Sequence, residues 1–426
     1  MGSKNKYKNG ILPMVLINFS IGSVYCWTLF KEHVQDYTGF SDLTMAWGFS
    51  IAIFFLGMSA AFGGKIVEKN PTRSAWLTFI FFTSGWLITG LGIQIRNPWV
   101  MLLGFGFVQG IGLGLGYITP VKTMMIWLDN KKGFAAGLSI AAFGLAGVIA
   151  NPIIEALLQR FQPYEVFYIL AVVYGVALIA AARLLYRPAY TEDNPVIAGG
   201  VLRPAAVIFS RKFLLLWLVF FLNIASGLAL ISQEKQIYQY EGIREMGFIG
   251  SHHYLILVMI TATANLAGRL IMASLQDKMR LKHTPYYVMS LGSLAVAIIA
   301  AVAEPSVVGA FVLVFVVQFM FGCGFACMPN ILHQNWGMTF LSTVHGFILS
   351  AWAIAGLVGN QVSTFVMGHY NLRTLFTVLA VFYAVQFVAL LIWIQVSAKD
   401  RHVDEVPADE VPVDEAPVNK VAATAA

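Results

Sequence analysis

Long apolar stretches, separated by short polar loops, recur along almost the whole chain. Most of them have about 20 residues or more, the length that an α-helix needs to cross the hydrocarbon core of a bilayer. The pattern predicts an all-α membrane protein with twelve transmembrane helices. The predicted spans are 11–31, 44–64, 74–95, 99–127, 133–158, 164–186, 212–235, 250–275, 285–304, 306–332, 344–367 and 373–397.

Composition agrees with this pattern and excludes a water-soluble fold. Hydrophobic residues make up 58% of the chain and charged residues 11%, whereas soluble domains have about 25% charged residues. The polar opening MGSKNKYKNG has no small-residue cleavage site, so we expect the first helix to stay as an anchor. The three cysteines fall in apolar spans without paired histidines, so we expect no disulfide framework, metal site or cofactor.

The distribution of cations predicts the orientation. Nineteen of the 27 lysines and arginines fall on the side of the two termini and six in the opposite loops. Short cytoplasmic loops carry the excess of positive charge, so we expect both termini in the cytoplasm and the protein in the inner membrane. The net charge of +6 reflects this topology, and no aromatic-interleaved basic patch suggests nucleic acid. The two remaining cations, Lys122 and Arg269, lie inside predicted spans.

The chain is an internal repeat with a constant offset of 209 residues. An offset of this kind predicts two six-helix bundles related as parallel repeats, the arrangement of major facilitator transporters. The matching pairs are Glu68 with Asp277, Lys69 with Lys278, Pro120 with Pro329, Trp127 with Trp336, Gly137 with Gly346, and Gly147 with Gly356.

The repeat and the loop composition predict four regions. Residues 1–186 form the first bundle and residues 212–398 the second, joined by a polar cytoplasmic linker at 187–211. Residues 399–426 contain three tandem acidic pentads with proline at every fifth position. Such a composition cannot pack a core, so we expect a disordered cytoplasmic tail.

Arg269 is the sharpest chemical signal. It lies eight residues before Asp277 at the end of the eighth helix, hence about 12 Å into the membrane. A cation there costs at least about 3 kcal/mol unless it is compensated, and the residue one turn earlier is the neutral Asn265. A guanidinium binds a carboxylate through two hydrogen bonds. We expect Arg269 and Asn265 to bind an anionic substrate; the alternative is a structural partner on another helix.

Lys122 lies at a matching depth in the fourth helix, and its repeat partner is Ile331. A charge found in only one half favours a specific role, and two cations facing one cavity could bind both ends of a dianion. The alternative is that Lys122 reaches the headgroups through its long side chain. Aromatic residues near the two cations are predicted to enclose the anion or simply to pack: Tyr25, Trp27, Tyr117, Phe143, Phe321, Phe325 and Trp352.

Ionisable residues near the helix ends are candidates for coupling or gating. An acid and a base stand side by side at two repeat-related helix ends and could latch one half to the other. Glu234 and His345 lie near the ends of the seventh and eleventh helices, where interfacial solvation also explains them. The set is Glu68, Lys69, Asp277, Lys278, Glu234 and His345.

Four sequence runs carry a resemblance to a known family. GSVYCWTLF at 22–30, GLGLGYITP at 112–120, WLDNKKGFAAG at 127–137 and NLAGRLIMASLQDK at 265–278 resemble the oxalate/formate antiporter family of the major facilitator superfamily. The resemblance implies that Arg269 binds a substrate carboxylate and that Tyr25, Tyr117, Phe321 and Trp352 enclose it. Trp352 stands where oxalate exchangers have a lysine, and Asn265 where proton-coupled animal relatives have an aspartate.

The sequence therefore predicts a secondary transporter, not an enzyme, for a small mono- or dicarboxylate such as lactate, pyruvate, formate or oxalate. Its partners are the substrate, the lipid bilayer, and either protons or a counter-anion. The mechanism is anion exchange or proton-linked symport by alternating access. The alternative is an anion sensor of transporter fold that signals through its acidic tail.

Overall fold

The computed structural model describes residues 5–189, 204–238, 253–303 and 307–405. We number the long helices α1 to α12. The first six are Tyr7–Thr38, Asp42–Lys69, Pro71–Gln94, Pro98–Trp127, Asp129–Leu158 and Pro163–Leu184. The others are α7 at Arg211–Tyr238, α8 at His253–Ala267, Gly268–Met272 and Ala273–Lys278, α9 at Thr284–Val302, α10 at Val307–Trp336, α11 at Leu341–Ile348 and Ser350–His369, and α12 at Leu372–Glu405.

Eleven of these helices are long and apolar enough, within the described residues, to cross a membrane. The remaining predicted span, 250–275, overlaps α8, which carries the polar residues Asn265, Arg269, Gln276 and Asp277. A helix satisfies its own backbone hydrogen bonds, which is the condition for crossing a medium without water. The all-helical membrane fold that the apolar pattern predicts is thus confirmed.

The surface is more apolar than that of a soluble protein, and the interior holds polar side chains as well as an apolar core. Large apolar side chains such as Phe62, Trp99 and Val172 are exposed, where lipid would cover them. Serine and threonine side chains inside the bundle, such as Thr78 and Thr89, donate to the carbonyl four residues earlier. This arrangement removes polar atoms from lipid and leaves the interior available for a polar site.

Helices of each predicted half pack mainly against one another. In the first half α2 and α3 pack on α4, and α1 and α3 pack on α6; in the second half α7 packs on α11 and α12, and α10 packs on α8 and α9. The two halves meet where α2 contacts α11 and where α5 contacts α8 and α10. The domain boundaries at 186 and 212 stay a prediction.

Glycines allow the halves to approach closely on the side of the termini. A Cβ atom added to Gly346 on α11 would lie 2.1 Å from the carbonyl oxygen of Ala60 on α2. One added to its repeat partner Gly137 on α5 would lie 2.8 Å from the carbonyl oxygen of Arg269 on α8. Both contacts join opposite halves, so this pair of repeat-related glycines lies where the backbones of the two halves approach each other closely.

Two predicted segments differ in detail from the structure. A short helix, Pro204–Ile208, occupies part of the predicted linker. Helix α12 continues to Glu405, past the predicted boundary at 398, because the first proline of the acidic pentads is Pro407 and nothing before it interrupts a helix. The rest of the predicted tail, 406–426, lies outside the described residues.

Replacing Gly346 by valine is expected to abolish transport, because its side chain would collide with the backbone of α2 and keep the halves apart. Transport by purified protein in liposomes checks this. Gly292→Val is the matched control, since no atom lies within 4 Å of a Cβ added at Gly292. Equal activity of both variants would contradict the assigned role of the close contact.

Candidate anion site and interhalf latches

Arg269 lies in a π-helical turn of α8, Gly268–Met272. Such turns re-aim side chains and occur often at functional sites. The side chain is 3% exposed. Its Nε donates to Asn265 Oδ1 at 2.9 Å, and its Nη1 donates to the carbonyl oxygen of Ile140 on α5 at 2.7 Å. The guanidinium therefore reaches from the second half to the first.

Neutral acceptors hold this buried cation. Among the described residues no aspartate or glutamate forms an ion pair with Arg269. Its carbon Cζ lies 5.6 Å from the ring centre of Phe325, where the face of the ring favours a cation. The positive charge of Arg269 therefore lacks an anionic counterpart in the part of the chain that the structure describes.

An aromatic cluster surrounds the guanidinium. Phe143 of α5 lies edge-on to Tyr25 of α1 at 5.4 Å and to Tyr117 of α4 at 5.2 Å between ring centres. Trp352 of α11 contacts Tyr117 at 5.4 Å and Phe325 of α10 at 4.7 Å. Five predicted site residues from five helices and both halves thus form one wall beside Arg269.

Two polar atoms within this aromatic cluster have no hydrogen-bond partner among the residues that the structure describes. They are the hydroxyl of Tyr117 and the indole Nε1 of Trp352, both on side chains that are 1% exposed. A buried donor without a partner costs about 1–3 kcal/mol. The hydroxyl of Tyr25 lies near enough to Arg269 to interact with it electrostatically. The cluster therefore offers donors and a cation that an anion would satisfy.

Two other predicted aromatics lie elsewhere. The structure does not bring Trp27 to Arg269: its ring stacks on Phe105 at 3.9 Å, and its Nε1 donates to the carbonyl oxygen of Met45. Phe321 touches Phe325 at 5.1 Å and covers Gly227 of α7, where an added Cβ would lie 2.1 Å from its ring. Trp27 packs the first half, and Phe321 supports the cluster from behind.

Lys122 does not join Arg269 in this structure. Its ammonium pairs with Glu68 of α2 and donates to the carbonyl oxygen of Thr339 before α11 at 3.1 Å. The sequence argument missed Glu68 as its partner because the two residues are 54 positions apart on different helices. That Lys122 binds the anion stays a prediction, and its charge is balanced here by a carboxylate.

Glu68 also caps the start of α11. Its Oε1 accepts from the backbone N–H groups of Ser342 and Thr343. The residue before α11 is Phe340, which supplies no cap of its own. Arg187 secures the end of α2 by donating to the carbonyl oxygens of Val67 and Glu68. Burial lowers the pKa of the Arg187 guanidinium, and the Glu68 carboxylate opposes that shift.

Asp277 of α8 makes the repeat-related contact with the start of α5. Its two carboxylate oxygens accept from the backbone N–H groups of Gly133 at 2.7 Å and Phe134 at 2.9 Å, at the start of α5. The four N–H groups obey the 209 offset, since Gly133 matches Ser342 and Phe134 matches Thr343. We call these two contacts the latches. Each places an acid of one half at the positive N-terminus of a helix in the other half.

Comparison of the sequence with models of protein families identifies the family of this chain. The model described as Major Facilitator Superfamily matches residues 13–360. The chain belongs to the major facilitator superfamily. Members of this superfamily are secondary transporters, so the chain is a multi-pass membrane transporter and not an enzyme.

Individual relatives agree with this assignment. The oxalate:formate antiporter of Oxalobacter formigenes is 21% identical, over 88% of this chain and 88% of the relative. Apicoplast pyruvate carrier 1 of Toxoplasma gondii is 23% identical, over 83% of each chain. The crystal structure of the transporter FucP in the outward conformation superposes with a TM-score of 0.67 at 16% identity, covering 89% of this chain and 97% of that one.

The remaining predicted residues of this major facilitator protein take different places. Lys69 and Lys278 are exposed beside the latch acids, and the helix N-termini, not these lysines, contact the acids. His345 is 2% exposed, and its ring lies 6.3 Å from that of Tyr117. The side chain of Glu234 lies outside the described residues. Gating or coupling by these residues stays a prediction.

The sequence analysis did not predict that backbone N–H groups form the latches. It also did not single out the buried amide of Gln318. A signal for the latches exists in the sequence. Lys131, which precedes the α-helical part of α5 at Lys132, and Phe340, which precedes α11, are poor helix caps. The first N–H groups of both helices therefore need acceptors from elsewhere. Within the described chain, no three His, Cys, Asp or Glu side chains are grouped to bind a metal ion.

Removing one latch charge is expected to open the side of the termini more often. Glu68→Gln weakens the attraction to the N-terminus of α11, worth about 1 kcal/mol. A cysteine at Thr343, which is 1% exposed, should then react faster with a membrane-impermeant maleimide applied from that side, in a background without the three native cysteines. Lys278→Gln is the control, and unchanged labelling in Glu68→Gln would refute the latch.

Proposed function

We propose that this protein carries a small monocarboxylate across the bilayer by alternating access, with Arg269 as the anion anchor. The observation that carries the proposal is the buried guanidinium with neutral partners only, beside the unpartnered donors of Tyr117 and Trp352. A bound carboxylate would balance the charge and accept these hydrogen bonds at once.

The charge balance favours one carboxylate over two. Arg269 is compensated by neutral groups, whereas Lys122 is engaged by Glu68 at the latch. The site thus provides one positive charge within an aromatic wall. That combination suits a monoanion with a small apolar body, such as lactate or pyruvate, and disfavours a dianion, whose second charge would lie against aromatic rings. Formate and pyruvate, for which two relatives are named, are monocarboxylates of this class, whereas oxalate is a dianion.

The two latches are the contacts that break and form again during alternating access. Both join opposite halves on the side of the termini, and the excess of positive charge in the loops of that side favours it as the cytoplasmic side. Opening that side breaks both caps, and closing it restores them. Exchange is favoured over uniport because the empty carrier would have to reorient with an uncompensated buried cation, while a bound anion neutralises it.

Arg269→Gln is expected to reduce uptake of labelled lactate or pyruvate into proteoliposomes at least about 30-fold, since breaking a buried hydrogen-bonded charge pair costs 2–5 kcal/mol. Tyr117→Phe and Trp352→Phe should raise KM severalfold by removing one donor each. Trp27→Phe is the matched control, because its indole N–H is already bonded to Met45. Full transport by Arg269→Gln would refute the function.

Lys122→Ile, which copies the repeat partner Ile331, is expected to leave the KM for a monocarboxylate within about twofold, as for a charge that makes no ligand contact. It should instead alter labelling of the cysteine at Thr343. The double variant Lys122→Ile/Glu68→Gln removes both charges, in case a lone buried carboxylate unfolds the protein. A large rise in KM with unchanged labelling would contradict this prediction and would indicate that Lys122 binds the anion.

A further inference from the structure

We propose that Gln318 of α10 is a positioning residue for the anion anchor, acting through a directed chain of hydrogen bonds. The chain begins at the backbone of α7, where Gln318 Nε2 donates to the carbonyl oxygen of Gly227 at 3.2 Å. Asn265 Nδ2 on α8 donates to Gln318 Oε1 at 3.3 Å. Arg269 Nε donates to Asn265 Oδ1 at 2.9 Å. This inference rests on the proposed role of Arg269.

The chemistry of the two ends sets the direction of the chain. A backbone carbonyl can only accept, so the Gly227 oxygen requires the NH₂ end of Gln318. The Gln318 oxygen then faces Asn265 and requires its NH₂ end. The Asn265 oxygen consequently faces Arg269, whose guanidinium can only donate. Each amide has one orientation that satisfies both neighbours, and these orientations agree along the whole chain.

The chain decides which edge of the guanidinium is offered to the anion. Asn265 holds Nε, and the Ile140 carbonyl oxygen holds one hydrogen of Nη1. These contacts fix the plane of the group, so that the anion meets the remaining N–H groups on the edge that the Tyr25 hydroxyl also contacts. Partners one step behind a binding group orient it in this way and affect ligand affinity without touching the ligand.

The repeat shows that the fold itself does not require this chain. The partner of Gln318 at the 209 offset is Gln109 of α4, which is fully buried. Within the described part of the chain, neither of its amide atoms has a hydrogen-bond partner. Leu56 and Ala60 stand where the second half has Asn265 and Arg269. The same glutamine therefore has a place in both halves, but its amide is used where the anchor is present.

The test compares Gln318→Met, Asn265→Ala and their double variant in proteoliposome uptake of a labelled monocarboxylate. Gln318→Met keeps the length of the side chain and removes both polar atoms, and we expect KM to rise about tenfold with little change in maximal rate. Because both residues act through one chain, the double variant should be no worse than Asn265→Ala alone. Gln109→Met, equally buried, should leave KM unchanged.

Three outcomes would overturn the inference: an unchanged KM for Gln318→Met, additive effects in the double variant, or an equal rise in KM for Gln109→Met. Gln318→Glu gives a second probe if Gln318→Met does not fold. It keeps the acceptor for Asn265, loses the donor to Gly227 and adds a negative charge near the anchor, so KM should rise further. Failure of the proposed function is separate, since it requires that Arg269→Gln still transports.

Discussion

The placement of one positive charge inside an apolar bundle constrains the rest of this structure. Arg269 is buried, and a buried charge must be paired, solvated or supplied with a ligand. Here Asn265 and the Ile140 carbonyl oxygen accept two of its hydrogen bonds and Phe325 provides a ring face. These contacts hold the cation without neutralising it, which is the condition for an anion site that is strong when filled.

The contacts of Arg269 and the latches also join the two halves. The bond to Ile140 crosses from α8 to α5, and Asp277, two turns later on α8, caps α5 at its start. The proposed anion anchor and the latch at Asp277 therefore share one helix pair. Glu68 repeats the cap between α2 and α11, with Lys122 as an added partner. The two latches are thus related by the repeat, but among the described residues only Glu68 also pairs with a buried cation.

Much of the architecture could be predicted because a bilayer permits few solutions. Apolar runs predict helices, since only a helix satisfies its backbone there. The depth of Arg269 in the membrane follows from the helix rise per residue. The residue one turn earlier is the neutral Asn265, so the sequence also shows that no acid at that position of α8 pairs with Arg269. The role of Lys122 could not be predicted in this way. Its partner Glu68 lies on another helix, and depth alone does not distinguish a cation that faces a cavity from one that faces a carboxylate.

By itself the sequence determined the twelve-helix pattern, the 209-residue repeat and the presence of two intramembrane cations, because these depend on hydropathy and spacing along the chain. The tertiary structure decided which cation is balanced and which is not. It also decided that Trp27 packs elsewhere, that the latch acids contact helix N-termini and not Lys69 or Lys278, and that Asn265 donates to Gln318. Each of these depends on which helices become neighbours, and the helix rise and period within a single segment carry no information about that.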